Sequence, residues 1–237
     1  MPIIFEYRHY RIQSHLPQGR ARVLVDSILD RTVVYDKVYR DNWRTLSARI
    51  RFDDDMLMLK VPRARNRRRW ERFLTVFRGS DAARSFWHLE RMASMGFSAP
   101  RPMLVAEKRE AGVVTDSLTC YRYVEGRPAG PDDAPRILDE LRVLHARGYL
   151  RSDAQIANFL ISGEAVVFID FRLKRPLCFS SLQKAREIDR FVRSCPEAEA
   201  SLKEKETSSV WYRVAQKLEN MAFSLRNLKK RFRKRRK

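Results

Sequence analysis

The sequence has 237 residues, of which 49 are Lys or Arg, 29 are Asp or Glu and 44% are hydrophobic, and its net charge is +20. This length and composition exclude a disordered chain and favour a globular protein with one two-lobed domain or two small domains. No run approaches the roughly 18 apolar residues of a membrane-spanning helix, and the basic excess predicts an anionic partner without distinguishing nucleic acid, anionic lipid and a phosphorylated substrate.

The sequence predicts no export signal, no cysteine zinc site and no disulfide framework. The segment MPIIFEYRHYRIQ is too short in its apolar part for a secretory signal. The cysteines Cys120, Cys178 and Cys195 are odd in number and widely spaced, so they fit neither a zinc site nor a disulfide framework. A reducing cytoplasm is therefore the expected compartment.

The first assignable elements form an antiparallel meander. Residues 1–30 alternate only weakly between basic and apolar positions and predict no element. The sequence then becomes rich in β-branched and aromatic residues, and its last strand ends at Pro62. Turns are expected at Asn42 and at 53–55. The three predicted strands are 32–41, 45–52 and 56–62.

The chain continues with a basic segment, a helix and two more strands. Segment 63–73 is strongly basic and is expected to form a solvated helix or loop. Residues 81–96 place apolar side chains at helical spacing, and Gly96 is positioned to end that helix. Residues 103–124 predict two strands around a turn at Gly112.

The C-terminal half changes in character. Segment 125–135 holds three prolines and two glycines, which predicts a linker. Residues 136–148 predict an amphipathic helix, and two short apolar runs predict a hairpin around Gly163. From residue 181 the pattern is helical. The sequence therefore predicts an α+β fold with a β-rich N-terminal part and a helical C-terminal part.

Three polar side chains around the predicted hairpin form a candidate catalytic group. Asp153 and Asn158 lie in the loop after Gly148, where a spacing of five residues can converge on one point. Asp170 ends the second hairpin strand and therefore returns to the same loop. Asn and Asp oxygens suit hard cations such as Mg²⁺, and a metal-free aspartate can orient a hydroxyl and accept its proton.

The order of these residues resembles that of protein-kinase-like phosphotransferases, in which a catalytic aspartate is followed after four residues by an asparagine, a hairpin and a second aspartate. The resemblance becomes more specific over the segment LHARGYLRSDAQIANFLISGEAVVFIDFRLKRP, which is followed by QKAREIDRF and a basic tail. It is closest to the bacterial lipopolysaccharide core heptose kinases, and among them to the heptose(II) kinases. The resemblance covers roughly residues 33–237 and is dense over 138–190.

This resemblance implies a protein-kinase-like two-lobe fold. The implied parts are a small antiparallel-sheet N-lobe over 1–120, a hinge over 121–126, a helical C-lobe with the catalytic loop over 127–200, and an amphipathic basic C-terminal helix or tail over 201–237. It also implies a kinase that uses ATP and Mg²⁺ to phosphorylate a sugar hydroxyl of the lipopolysaccharide inner core. Such an enzyme acts in the cytoplasm, at the inner face of the inner membrane.

The same resemblance assigns roles at the catalytic end. Asp153 is the catalytic base, and Asn158 and Asp170 are the Mg²⁺ ligands. Asp189, on the following helix, braces the catalytic loop.

Roles at the nucleotide end also follow from the resemblance. Lys60, in LMLKV, is the lysine that binds the nucleotide phosphates, and the backbone of Arg122 and Val124 meets the adenine. The glutamate that pairs with such a lysine is expected near Ser85, where the sequence has none. Glu90 lies more than one helical turn later and is more typical of a surface position.

The sequence departs from the family pattern at several points. Arg151 and Ser152 stand where His-Gly is usual, and Arg172 replaces the glycine of the Asp-Phe-Gly triplet. No glycine occurs between Gly19 and Gly79, so the phosphate loop is not glycine-rich. The segment YRDNWRT would have to cover the phosphates with side chains such as Arg40 or Arg44.

The C-terminal segment is amphipathic and ends in a basic tail, with nine Lys or Arg among the last twelve residues. A disordered solubilising tail is one explanation. The sequence argues against nucleic acid, because it lacks aromatic interleaving and a recognisable module. A helix with a polybasic end favours the anionic inner-membrane surface that holds the glycolipid substrate. The apolar stripe consists of Trp211, Val214, Leu218, Met221, Leu225, Leu228 and Phe232.

Two other functions stay open at this stage. One is a kinase-like phosphotransferase with another acceptor, such as another core sugar, a small molecule or a protein, because the fold does not fix the acceptor. A pseudokinase scaffold bound to the membrane or to nucleic acid is favoured by the departures at Arg151, Ser152 and Arg172. The sequence fixes neither the phosphorylated hydroxyl nor the oligomeric state.

Overall fold

The computed structural model describes residues 1–63, 75–76 and 79–235, with side chains up to residue 225. Most of the basic segment predicted at 63–73, and the side chains of Leu228 and Phe232, lie outside the described residues. The chain divides into two compact units, one of residues Met1–Glu125 and one that begins at Gly126.

The N-terminal unit is built on a seven-stranded antiparallel sheet with the strand order β1-β2-β6-β7-β5-β4-β3. The meander predicted from residue 32 onward and the strand pair around Gly112 are both confirmed. The strands are β1 Ile3–Tyr7, β2 Tyr10–Ser14, β3 Val34–Asp41, β4 Leu46–Phe52, β5 Asp55–Val61, β6 Pro102–Glu110 and β7 Val113–Arg122.

Residues 1–30, for which the sequence predicts no element, form the hairpin β1-β2 and helix α1, Gln18–Leu29. Strand β2 pairs with β6 and so extends the predicted sheet by two strands. Helix α1 buries Ala21, Leu24 and Val25 within the apolar core of the sheet. The hairpin and helix therefore belong to the main core of this unit.

Helix α2, Asp81–Ser94, confirms the helix predicted after the basic segment. Ser80 caps it, because the Ser80 hydroxyl accepts a hydrogen bond from the N–H of Ala83 at 2.9 Å. The helix packs on β6 and β7, and Phe86 is fully buried in a cluster with Val105.

The C-terminal unit is mainly helical and carries one small sheet of strand order β10-β9-β8. The predicted linker is wrong in part, because it contains strand β8 and a short 3-10 helix. A Cβ atom on Gly126 would lie 2.7 Å from the carbonyl oxygen of Ile161, so only glycine fits beside β9. The elements are β8 Arg127–Pro128, α3 Ala134–Ala146, β9 Phe159–Ser162, β10 Ala165–Phe168, α4 Ser180–Ser194, α5 Glu204–Thr207 and α6 Val210–Arg235.

The final helix α6 packs against α4 through a face that includes Tyr212, Ala215 and Glu219, all of which are buried. The apolar stripe predicted from the sequence lies largely on the other side. Trp211 is 43% exposed and Met221 is 62% exposed. Among the described residues, no helix is long and apolar enough to cross a membrane. Helix α6 therefore presents an exposed apolar stripe.

Candidate active site

The loop between α3 and β9, together with the hairpin β9-β10, carries the three predicted catalytic side chains. Asp153 lies in the loop, and Asn158 ends a single 3-10 turn immediately before β9. Phe159 pairs with Phe168 across the hairpin, so the strand ends bring Asn158 opposite the segment that leads to Asp170. The hairpin therefore returns Asp170 to the loop, as the sequence predicted.

Hydrogen bonds fix this arrangement. The side-chain Nδ2 of Asn158 donates to the carbonyl oxygen of Asp153 at 3.1 Å, and the N–H of Ile169 donates to the carbonyl oxygen of Asn158 at 3.1 Å. Because the Asn158 amide nitrogen is engaged, its Oδ1 is the atom left to accept or to bind a cation. The carboxylates of Asp153 and Asp170 belong to exposed residues.

Two residues of the site have left-handed backbone conformations. The φ angle is 76° at Ser152 and 50° at Asp170. For residues other than glycine, such conformations cost about 1–3 kcal/mol each and are concentrated at functional sites. The residue before the candidate base and the candidate metal ligand itself are thus both held in strained geometry.

Arg151, which departs from the family pattern, is fully buried beneath the site. Its guanidinium donates to the carbonyl oxygen of Ile169 at 2.9 Å and to that of Asn158 at 3.4 Å. It also lies over the ring of Phe159, 4.3 Å from the centroid, and near that of Phe168. Arg151 therefore ties together the backbone at both ends of the hairpin, directly next to the two candidate metal ligands.

The buried guanidinium also acts electrostatically on the site. Burial lowers the pKa of Arg151 to about 10, although the charges of Glu187, Asp153 and Asp170 oppose this drop. Arg151 is therefore still cationic at neutral pH. Its Nε has no hydrogen-bond partner within the described part of the chain, and the aromatic faces on which it lies offset part of this cost.

Glu187 on α4 braces the catalytic loop, a role that the sequence had not assigned to it. The Glu187 carboxylate is buried and accepts the N–H groups of Ser152 at 2.7 Å and Arg151 at 3.3 Å. His145, on the apolar face of α3, lies 2.7 Å from the same carboxylate through its Nε2. Glu187 thus joins α3, α4 and the loop that carries Asp153.

Asp189, predicted as the brace, is placed elsewhere. Its carboxylate is buried and accepts a hydrogen bond from Nε of Arg193 at 2.6 Å, one helical turn later. The backbone N–H groups of Arg151 and Ser152 in the catalytic loop donate instead to Glu187. The predicted brace was therefore wrong by two positions. Residues two apart on a helix are rotated by about 200° around its axis, so Glu187 and Asp189 face different neighbours.

The donor set of Asn158 and Asp170 fits Mg²⁺ held jointly by protein and substrate. Among the residues with described side chains, no group of three or more His, Cys, Asp or Glu forms a self-sufficient metal site. Mg²⁺ is usually bound by one or two protein oxygens, with phosphate oxygens and waters as its other ligands. One amide oxygen and one carboxylate meet that requirement.

In the N-terminal unit, Lys60 lies on β5 and is half-buried. It pairs in register with Ser47 and Thr119 on the neighbouring strands, and its Nζ lies 5.6 Å from the centroid of the Tyr121 ring. Glu90 lies 2.7 Å from Nε2 of His15, so its carboxylate is engaged with the N-terminal segment.

The predicted hinge, residues 121–126, begins at the last two residues of β7. The N–H of Arg122 donates to the carbonyl oxygen of Arg101 at 2.8 Å, so an adenine contact from Arg122 has to use its carbonyl oxygen. The Arg122 guanidinium donates to Asp55 at 2.7 Å. Val124 follows just before the boundary between the two units. The Arg122 side chain is therefore engaged with Asp55, and the groups that the two hinge residues offer to a nucleotide are those of the backbone.

The turn between β3 and β4 holds its shape without glycine. The Asn42 side chain accepts the N–H groups of Arg44 and Thr45 at 2.9 and 3.0 Å, which is the usual way in which asparagine stabilises a tight turn. The Arg44 guanidinium lies 4.9 Å from the centroid of the exposed Trp43 ring. Asn42 therefore stabilises the backbone of the turn, and the side chains of Trp43 and Arg44 lie against each other at its tip.

The family described as "Lipopolysaccharide core biosynthesis protein (WaaY)" matches residues 3–229. Among solved structures, the chain is similar to WaaP in complex with acyl carrier protein, with a TM-score of 0.51 and 13% identity over 86% of this chain and 91% of that chain. It also matches the PknI kinase domain of M. tuberculosis, with a TM-score of 0.36 and 14% identity over 59% of this chain and 57% of that chain. The match to WaaP, together with the antiparallel sheet and the helical unit, confirms the predicted kinase-like α+β fold.

Proposed function

The chain belongs to the lipopolysaccharide core biosynthesis protein (WaaY) family, and from this premise we propose that it is an ATP- and Mg²⁺-dependent kinase that phosphorylates a heptose of the inner core. The observation that carries the proposal is the joined arrangement of Asp153, Asn158 and Asp170 on one loop and hairpin. A base beside a pair of hard-cation ligands is the arrangement that phosphoryl transfer to a hydroxyl requires.

In the proposed reaction, Asp153 accepts a hydrogen bond from the sugar hydroxyl and orients its oxygen. That oxygen forms a bond to the γ-phosphorus of ATP, the bond from this phosphorus to the β–γ bridging oxygen breaks, and ADP leaves. The hydroxyl proton passes to the Asp153 carboxylate. Mg²⁺ on Asn158 and Asp170 would neutralise charge on the phosphate oxygens.

The nucleotide is proposed to contact the N-terminal unit through Lys60 and the hinge. Lys60 provides a cation for the phosphates, and its position on β5 between two paired strands fixes the direction of its side chain. The carbonyl oxygen of Arg122 and the backbone of Val124 supply the polar groups that an adenine edge requires. These contacts add no chemistry and serve to position ATP.

The direct test is transfer of labelled γ-phosphate to purified inner-core glycolipid. We expect phosphate in the core heptose when ATP and Mg²⁺ are both present, and none after chelation of Mg²⁺. Acceptors that lack individual core sugars then identify the heptose that is modified. Transfer to a protein or an antibiotic, with none to the core, would contradict the assigned acceptor.

A scaffold without catalytic activity is the second candidate, favoured by the β3-β4 turn that Asn42 holds without glycine and by Arg172. Thermal unfolding with and without Mg-ATP separates the two functions. A kinase is stabilised by roughly 3 kcal/mol at an ATP concentration of 100 times Kd. A scaffold that does not bind nucleotide shows no shift.

We also propose that α6 holds the protein at the anionic inner face of the inner membrane. The apolar stripe of α6 is exposed, with Trp211 at 43% and Met221 at 62%, and the sequence after it is polybasic. Apolar side chains beside clustered cations are the features of helices that lie in an anionic membrane interface.

A charge placed in the stripe should weaken membrane binding more than the same charge beside it. We expect Met221→Glu to reduce retention on anionic vesicles by about tenfold more than Asn220→Glu. Only the Met221 substitution removes an inserted apolar side chain, which contributes about 1–2 kcal/mol to membrane binding. Both carboxylates cost about 1 kcal/mol of attraction to anionic lipid. Vesicle sedimentation at several salt concentrations measures this, and equal losses for the two variants would show that the stripe does not insert.

A further inference from the structure

A cavity of about 670 Å³ opens beside Asp153 within the C-terminal unit. Its walls come from α4 and α6. The side chains that line it include three arginines from α4 and one carboxylate and two apolar residues from α6. They are Arg186, Arg190, Arg193, Glu219, Ala222 and Leu225.

Two of the three arginines are arranged around one buried carboxylate, and Arg193 donates to a second, that of Asp189. Arg186 and Arg190 both donate to the same oxygen of Glu219, at 2.7 and 2.9 Å. Burial would raise the pKa of Glu219, but the hydrogen bonds from the two arginines outweigh it and lower the pKa below its usual range. Two guanidiniums on one carboxylate leave a net positive charge at the cavity wall.

Arg186 and Arg190 also reach a second cavity, of about 150 Å³, on the side of the catalytic loop. Ser152 and the exposed Lys174 line this smaller cavity. Arg190 donates to the carbonyl oxygen of Ser152 at 3.4 Å. Cationic side chains therefore lie on both sides of the residues that precede Asp153.

The position of the cavity determines what can occupy it. A hydroxyl that donates its proton to Asp153 has to enter a space that Asp153 lines, and the rest of that acceptor then meets the guanidiniums of α4. Guanidinium groups bind phosphate and carboxylate in bidentate geometry. The apolar side chains of Ala222 and Leu225 on the opposite wall suit the C–H face of a sugar ring.

We propose that this cavity is the acceptor site, and that Arg186, with Arg190 and Arg193, binds an acidic substituent of the acceptor sugar, a phosphate or a carboxylate. Helix α6 is then a wall of the acceptor site as well as the membrane-facing helix. This inference rests on the proposed kinase function, and it adds the residues that select the acceptor.

Arg186→Gln tests the site with little risk to the fold, because Arg190 still donates to Glu219. We expect the KM for the core acceptor to rise at least tenfold and the KM for ATP to stay within twofold. Arg213→Gln is the matched control: Arg213 is an exposed arginine on α6 that donates to the carbonyl oxygen of Ser208. It should leave both values unchanged.

Chemically modified acceptors identify the substituent. If the bound group is a phosphate, its removal by hydrogen fluoride should abolish the difference in acceptor KM between wild type and Arg186→Gln. If the bound group is a carboxylate, reduction of the carboxyl groups should do so. If the difference between the two proteins survives both treatments, or if Arg186→Gln and Arg213→Gln behave alike on every acceptor, the site assignment is wrong.

A binding measurement separates this inference from the proposed function. Calorimetric titration of core oligosaccharide needs no phosphoryl transfer, and Arg186→Gln should weaken binding at least tenfold relative to Arg213→Gln. If wild type transfers phosphate to no core acceptor but this binding difference is present, the kinase function fails and the anion site stands. If transfer occurs and the two variants bind equally, the anion site fails alone.

Discussion

Asp153→Asn is expected to lower kcat for phosphoryl transfer by about 10²–10⁴-fold, the range for loss of a general base. The Asp153 carboxylate is exposed and receives the hydroxyl proton in the proposed reaction, whereas an amide cannot take it. The fold should survive, because the hydrogen bond from Asn158 goes to the backbone oxygen of residue 153 and not to its side chain. Steady-state kinetics and thermal unfolding with Mg-ATP measure the two effects.

The control for this variant is Asp132→Asn, at an exposed aspartate on the 3-10 helix before α3. It removes the same charge from the same unit and should leave kcat unchanged. Full activity of Asp153→Asn, with Mg-ATP stabilisation intact, would exclude Asp153 as the base.

Glu187→Ala is expected to destabilise the C-terminal unit by roughly 2–5 kcal/mol and to abolish activity. The substitution leaves the N–H groups of Arg151, which is buried, and of Ser152 without an acceptor, and it removes the partner of the buried His145. Each unpaired buried group costs about 1–3 kcal/mol. The loop that carries Asp153 then loses its hydrogen bonds to the Glu187 carboxylate on α4. Urea unfolding and kcat, measured on the same protein, report the two losses.

Two further variants show whether the loss belongs to the buried contacts. Glu187→Gln keeps the shape and one acceptor oxygen, so its loss of stability should be smaller than that of the alanine variant. Glu204→Ala removes an exposed carboxylate on α5 and should change stability by less than 0.5 kcal/mol in either direction. Equal stability of Glu187→Ala and Glu204→Ala would mean that Glu187 does not support the loop.

The local parts of the candidate site could be predicted from the sequence. The spacing of Asp153 and Asn158, and the hairpin that returns Asp170, depend on turns and strand pairing within about 20 residues. The two short apolar runs and Gly163 between them are the local signals of those interactions. The meander that carries Lys60 was predictable for the same reason.

The supporting residues could not be predicted in the same way. Glu187 and Asp189 lie on one helix and are both buried. Their spacing in the sequence therefore does not determine which side of α4 faces the loop. Arg151 was recognised only as a departure from the family. Its function depends on Phe159, Phe168 and Ile169, which are brought around it by the hairpin.

The N-terminal hairpin could not be predicted, because its strands show only weak alternation of apolar and polar residues. Most of strand β1 is exposed and offers little alternation, and α1 buries only Ala21, Leu24 and Val25. Their stabilisation comes from pairing of β2 with β6, about 90 residues later in the chain. Contacts so distant in sequence leave no local signal.

The central claim is that this chain adds a phosphate to the lipopolysaccharide core through Asp153. Mass spectrometry of core oligosaccharide tests it most directly, with material from cells that carry the wild-type gene, the Asp153→Asn gene or no gene. The account predicts one phosphate fewer on a core heptose in the last two samples and the full number in the first. The same phosphate content in all three samples would contradict it.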